Sequence, residues 1–114
     1  MLQIKEISAF ELSQLIKSTN HIALIDIRTP VEIERGIIPG AKALPMHLIP
    51  LNLNYFSTVQ KEIIIYCRTG SRSAQVCRFL NQHGLNNAIS LRGVVVQWTS
   101  SGLRMAFETP ETIA

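Results

Sequence analysis

Two apolar runs constrain this chain more than any other feature: HIALIDI at residues 21–27 and EIIIYC at residues 62–67. Each is continuous rather than alternating. A strand with one wet face alternates polar and apolar side chains, so an unbroken, β-branched run reads as a strand covered on both faces. Such strands need helices above and below, and the sequence between them supplies helix signals. Ser8 with Glu11 forms a capping box ahead of AFELSQLIKS, whose apolar face is expected at Phe10, Leu12, Leu15 and Ile16. Thr29 and Glu32, with Pro30 between them at the first helical position, mark a second start over PVEIERG. SAQVCRFLNQHG (73–84) reads as a helix stopped by Gly84. LQIKEI (2–7), a brief strand within IPGAKALP (38–45) and NAISL (87–91) add further strands. Pro50 limits any helix in MHLIPLNLNYFSTV (46–59). VVVQWTSSG (94–102) is expected to close the domain as a helix, against the strand propensity of its valines. Strand alternating with helix predicts a three-layer α/β domain with a mainly parallel sheet. Ligands of such sheets bind at the carboxyl ends of the strands, where Asp26 and Cys67 fall.

A chain of 114 residues with 46% apolar and 17% charged residues is long enough and apolar enough for one globular core. The expected division is a single domain over 1–105 and a short tail over 106–114. No apolar run reaches the ~20 residues of a membrane span, and MLQIKEISAF has no signal-peptide pattern, so the expected location is the cytoplasm, with no membrane partner. Cys67 and Cys77 are too few for a disulfide framework or a zinc site and are expected as free thiols. The chain holds no P-loop, dinucleotide fingerprint or metal-spaced cluster, so neither cofactor nor metal is expected. The net charge of +3 is modest, but its distribution is not even. Between Glu62 and Glu108 there is no acid, while Arg68, Arg72, Arg78, Arg92 and Arg104 fall there. A positive field around Cys67 favours an anionic partner. The aromatics are too sparse for a nucleic-acid surface.

The segment CRTGSRSA (67–74) carries the chemistry. A cysteine at a strand end, before a glycine-bearing turn into a helix, faces the amides of that turn and the helix start, both of which favour an anion. This setting lowers a thiol pKa and leaves the sulfur exposed at the strand end. Gly70 permits positive φ; Arg68 and Arg72 can fork onto an oxyanion; Ser71 and Ser73 can donate to the sulfur or cap the helix. Arg72 is expected to help lower the pKa of Cys67. Cys77 shares a helical face with Ala74 and Leu80 and reads as core. A Cys–His hydrolase would need His21, His47 or His83 brought to Cys67 by the fold, and His83 reads as a helix C-terminal cap.

Taken in order, three blocks resemble the rhodanese family of sulfurtransferases: LIDIRTPVEIERGIIPGAKALP (24–45), IIIYCRTGSRSA (63–74) and LRGVVVQW (91–98). The resemblance implies a single α/β domain with a five-stranded sheet covered on both sides. It implies that Cys67 takes a sulfane sulfur from an anionic donor such as thiosulfate, becomes a persulfide, and passes the sulfur to a thiol, cyanide or protein acceptor. Arg68, Thr69, Gly70, Ser71, Arg72 and Ser73 would bind the substrate, and Asp26 and Arg28 would brace the surroundings. Phosphatases and arsenate reductases of the same fold have a seven-residue loop, whereas residues 67–72 make six, which favours sulfur over a phosphoryl group. A carrier or binding module that forms the persulfide without turnover is the other alternative. Ile37 stands where the family often has His, and Val94 where it often has a second Gly; both bear on the choice of acceptor.

Overall fold

The computed structural model describes residues 3–18, 21–93, 105–106 and 110–113. Five strands form one sheet: β1 (Lys5–Ile7), β2 (Ile22–Asp26), β3 (Lys42–Ala43), β4 (Glu62–Tyr66) and β5 (Ala88–Leu91). Their order is β1-β5-β4-β2-β3, and every pairing is parallel. Four α-helices connect them: α1 (Ala9–Ser18), α2 (Pro30–Ile33), α3 (Leu53–Thr58) and α4 (Ser71–Gln82). The segment around Pro50 resolves into a 3₁₀ stretch, Met46–Asn52, running into α3. Both capping boxes are present, on Ser8–Glu11 and on Thr29–Glu32. Helix α4 begins two residues before the expected start, at Ser71. The helix expected over 94–102 lies outside the described residues.

Strand β4 is covered on both faces, as its composition requires. Ile63, Ile65 and Cys67 enter one core with Val76, Cys77 and Leu80 of α4 and Phe56 of α3. Ile64 and Tyr66 enter the other, with Ala9 and Leu12 of α1 and Ile38. The period-2 alternation of a strand thus sends Cys67 and Tyr66 to opposite sides of the sheet. Cys77 is fully buried, as its place on the inner face of α4 predicts.

The face of α1 differs from the expectation. Leu12 is fully buried, with Ala9 and Ser13 beside it, whereas Phe10 is 68% exposed and Ile16 is also exposed. Residues three and four apart share a helix face, so Ala9, Leu12 and Ser13 define the inward stripe. Phe10, two positions before Leu12, points away from it. The apolar alphabet alone favoured the larger side chain, but the short entry from β1 fixes which face turns inward.

Described residues past 105 pair with the domain. Ala106 bridges Ile37 through two backbone hydrogen bonds, the Ala43 amide donates to the Glu111 carbonyl, and the Ile113 amide donates to the Ala43 carbonyl. Ile37 is buried here. No helix among the described residues is long and apolar enough to cross a membrane.

The α1 register gives a direct test. Leu12→Ala should cost about 2–5 kcal/mol through lost burial and a cavity, while Phe10→Ala should stay within about 0.5 kcal/mol. Urea unfolding of the two variants measures this, and equal losses would contradict the observed face.

Candidate active site

Cys67 follows β4 directly, and its sulfur turns in toward the start of α4. The Gly70 amide donates to Sγ at 3.1 Å and the Ser73 amide at 3.4 Å. The Ser73 hydroxyl lies 3.7 Å from Sγ. Gly70 occupies the N-cap position of α4 and has no side chain to accept a bond there. The cysteine sulfur takes that place: it accepts from the third helical amide, as a capping Ser or Asp oxygen would. A thiolate is therefore placed against free amides at the positive end of a helix dipole.

Gly70 is required in this geometry. Its φ is 97°, and a Cβ there would sit 3.2 Å from the Gly93 amide nitrogen and 3.5 Å from the Leu91 carbonyl oxygen. The loop packs its backbone against the end of β5, which leaves no room for a side chain. Thr69 and Ser71 are exposed, with their hydroxyl oxygens 3.4 Å apart.

Opposing effects set the acidity of Cys67. Burial pushes the thiol up. The Ser73 amide and hydroxyl, followed by the amides of Gly70 and Thr69, pull it down, and the net shift is downward. The sulfur is not exposed as its strand-end position suggests: Cys67 has 0% accessible surface. The same inward turn that satisfies Sγ with amides draws it into the core beside Val76 and Cys77. In contrast, burial pushes the Cys77 thiol up to about 12, so the two cysteines differ sharply in acidity.

The two loop arginines part company. Arg72 does not fork onto open space: its Nη1 and Nη2 donate to Oε1 and Oε2 of Glu32 at 2.9 and 2.8 Å. Glu32 also accepts from the amide and hydroxyl of Thr29, completing the cap of α2. The stretch without acids in sequence is thus not without acids in space, because α2 delivers a carboxylate to it. The largest downward effects on the Cys67 thiol come from amides and a hydroxyl, and the Arg72 charge also attracts the thiolate, as expected. Arg68 is exposed and makes no ion pair among the described residues. Farther along, Arg92 approaches Glu11 at 4.0 Å on the surface.

Asp26 and Arg28 form a buried pair. Asp26 accepts from the Arg28 amide at 2.9 Å, from Nε at 3.0 Å and from Nη2 at 2.7 Å. Arg28 Nη2 also donates to the Gly36 carbonyl at 2.7 Å, and its guanidinium lies over the Tyr66 ring. The Tyr66 hydroxyl accepts from the Ile38 amide at 3.0 Å. Asp26 is in register with Tyr66, so this network braces the face of the sheet opposite Cys67.

Two of the hollows among the described residues lie at opposite ends of the sheet. One, about 770 Å³, lies at the amino ends of the strands around Lys5, His21, Lys61 and Asn87, on the edge away from Cys67. The other, about 500 Å³, lies at the carboxyl edge between Ile27, Pro30, Met46, Pro50 and Arg72. His47 lines it, while His83 bonds the Phe79 carbonyl at the end of α4. The residues missed from sequence are Glu32 as a partner of Arg72, Tyr66, and Ser90, whose hydroxyl is 2.8 Å from that of Ser73. Glu32 carried a signal, but its cap role already accounted for it. A single serine in a strand carried none.

Arg72 holds the carboxyl of Glu32 down at about 2, against the upward push of burial and with help from Thr29. Its folded pKa is therefore below the unfolded value, so its stabilisation is complete above the ordinary carboxylate pKa of about 4.3 and drains away as pH falls toward 2. Glu32→Gln should lower stability at pH 7 by about 1 kcal/mol, or Tm by roughly 4–8 °C, and should flatten the loss between pH 5 and 2. Thermal unfolding across that range tests it, and parallel acid slopes for both proteins would contradict the assignment.

Known proteins resemble this chain in sequence and in fold. The Rhodanese-like domain profile matches residues 8–101. A sulfurtransferase of Allochromatium vinosum is 43% identical over 100 residues, covering 88% of this chain and 92% of the relative. The putative sulfurtransferase YtwF of Bacillus subtilis is 33% identical, covering 85% of this chain and 92% of the relative. The crystal structure of SSP1007 from Staphylococcus saprophyticus superposes with a TM-score of 0.78 at 40% identity, covering 89% of this chain and 99% of that one. The five-stranded parallel sheet accords with these matches, and the chain belongs to the rhodanese-like domain family.

Proposed function

We propose that this protein is a sulfurtransferase that carries sulfur on Cys67 as a persulfide. One observation carries the reading: Sγ sits at the start of α4 with the amides of Gly70 and Ser73 directed onto it. The two sulfurtransferase relatives support the same activity. In the forward step, the Cys67 thiolate attacks the outer sulfur of thiosulfate. A sulfur–sulfur bond forms to Cys67 as the one to the sulfonate group breaks, and sulfite leaves with the electron pair. In the return step, cyanide or a thiolate takes the terminal sulfur, and Cys67 leaves as thiolate again. Overall charge is conserved in both steps, and no cofactor is needed.

The residues divide the work by chemistry. Fixed amides at Thr69, Gly70 and Ser73 stabilise the anionic sulfur without reorganising during the reaction. Arg68, exposed and not committed to a carboxylate among the described residues, meets the incoming anion. Arg72 keeps its alignment through Glu32 and presents a compensated charge. Because Cys67 is covered at rest, the donor must displace part of the loop surface to reach it. A six-residue loop suits one sulfur atom better than the broader phosphoryl group.

Thiosulfate should convert the reduced protein to a species heavier by one sulfur atom in intact-mass spectra. Cys67→Ser should abolish the adduct and Cys77→Ser should retain it. The absence of an adduct on the wild type would overturn the reading. Cys67-dependent turnover of an aryl phosphate would favour the phosphatase alternative, and a persulfide that cyanide never discharges would favour a carrier.

A further inference from the structure

Beneath the loop lies a pair of buried hydroxyls that the reading above does not use. Ser73 is fully buried, and Ser90, on β5, is 1% exposed. Their oxygens are 2.8 Å apart. Ser73 Oγ also lies 3.1 Å from the Gly70 carbonyl oxygen and 3.7 Å from Cys67 Sγ. For Ser90 Oγ, the bond to Ser73 is the one side-chain hydrogen bond among the described residues.

Proton counting then fixes the direction of the chain. Each serine has one hydroxyl proton. If Ser73 donated to Ser90, the Ser90 proton would have no acceptor among the described residues of this buried site, which is unfavourable. Ser90 is therefore the donor and Ser73 Oγ the acceptor. This leaves the Ser73 proton two acceptors: the Gly70 carbonyl and the cysteine sulfur. While Cys67 is a thiol, its S–H donates to Ser73 Oγ, and Ser73 donates to Gly70. When Cys67 loses its proton to solvent, the Ser73 hydroxyl can rotate onto the thiolate. Ser90 keeps the acceptor side of Ser73 occupied in both states.

We propose that Ser90 is a positioning residue for the reactive cysteine: by donating to Ser73 Oγ, it reserves the Ser73 proton for the Cys67 thiolate. Ser90 does not touch the sulfur and acts only through Ser73. The proposal rests on Cys67 being the reacting atom. Other charges near the loop are Arg68 beside Cys67, Arg72 with its partner Glu32 from α2, the Asp26–Arg28 pair at the end of β2, and Arg92 after β5. None involves Ser90, so these charges are common background for the variants below.

The test is the pH dependence of iodoacetamide alkylation, read at Cys67 by peptide mass mapping on the full chain under reducing conditions. Ser90→Ala should move the midpoint up by about 0.5–1 unit, leaving roughly 3- to 10-fold less thiolate below it, the scale of one hydrogen bond. Ser73→Ala should move it at least as far. In a Ser73→Ala background, Ser90→Ala should add nothing, since its effect passes through the missing hydroxyl. Ser90→Cys keeps the size but offers a weaker donor, so it should shift the midpoint in the same direction and covers the case in which Ser90→Ala folds poorly. An unchanged midpoint in a folded Ser90 variant, or an equal shift with and without Ser73, would overturn the proposal. The readout is the thiolate itself, so failure here is distinct from failure to accept sulfur from thiosulfate.

Discussion

The double-sided burial of β4 is the constraint on which the rest of the structure depends. Ile63, Ile64, Ile65 and Tyr66 have no accessible surface, and the strand pairs with β2 on one side and β5 on the other. Such a strand cannot shift by one residue without exchanging its two sets of side chains between cores. Its register therefore fixes which way Cys67 faces. It also fixes that Tyr66, one residue earlier, belongs to the Asp26–Arg28 network on the other side. Cys67 and Tyr66, adjacent in sequence, thus serve opposite faces of the sheet, and the buried ion pair sits with Tyr66.

From that placement follows the division between fixed dipoles and mobile charges. The sulfur meets amides first, because it replaces the missing cap of α4. Amides in a loop packed against the end of β5 are held in place, and their orientation does not depend on ionic strength. The arginines are arranged otherwise. Glu32 neutralises Arg72 while anchoring α2, so one carboxylate ties the second crossover to the start of α4. Arg68 remains as the exposed cation beside the cysteine. On the proposed function, capture of an anion and stabilisation of a thiolate fall to different groups, although both kinds lie within the same six residues.

Much of this was legible in the sequence. The two continuous apolar runs named the central strands, the capping boxes named two helix starts, and CRTGSR named the loop with its positive-φ glycine. Propensity and pattern suffice where a residue's role is local. They fail where a partner comes from far along the chain. Glu32 and Arg72 are 40 residues apart, so the arginine looked free and the acid looked like a cap alone. The sulfur looked exposed because strand ends usually are, yet its own hydrogen bonds pull it inward. Phe10 misled for a related reason: hydrophobicity reports what can be buried, and the path of the chain decides what is.

The capping role of Cys67 also couples its titration to the fold. A thiolate accepts the Gly70 and Ser73 amides more strongly than a thiol does, so the folded chain favours the charged form and its pKa falls below the unfolded value. The corresponding stabilisation is complete above the unfolded thiol pKa of about 8.5 and is lost as pH falls through the folded one. Across that transition, helix start and thiol ionisation respond to the same proton. In the proposed persulfide the negative charge would lie one bond outward, away from the position that caps α4. The loop amides then have to serve a charge nearer the surface, and the flexible donor among them is the Ser73 hydroxyl. On this proposal, the hydrogen bond it accepts from Ser90 bears on the helix, the thiolate and the loaded sulfur alike.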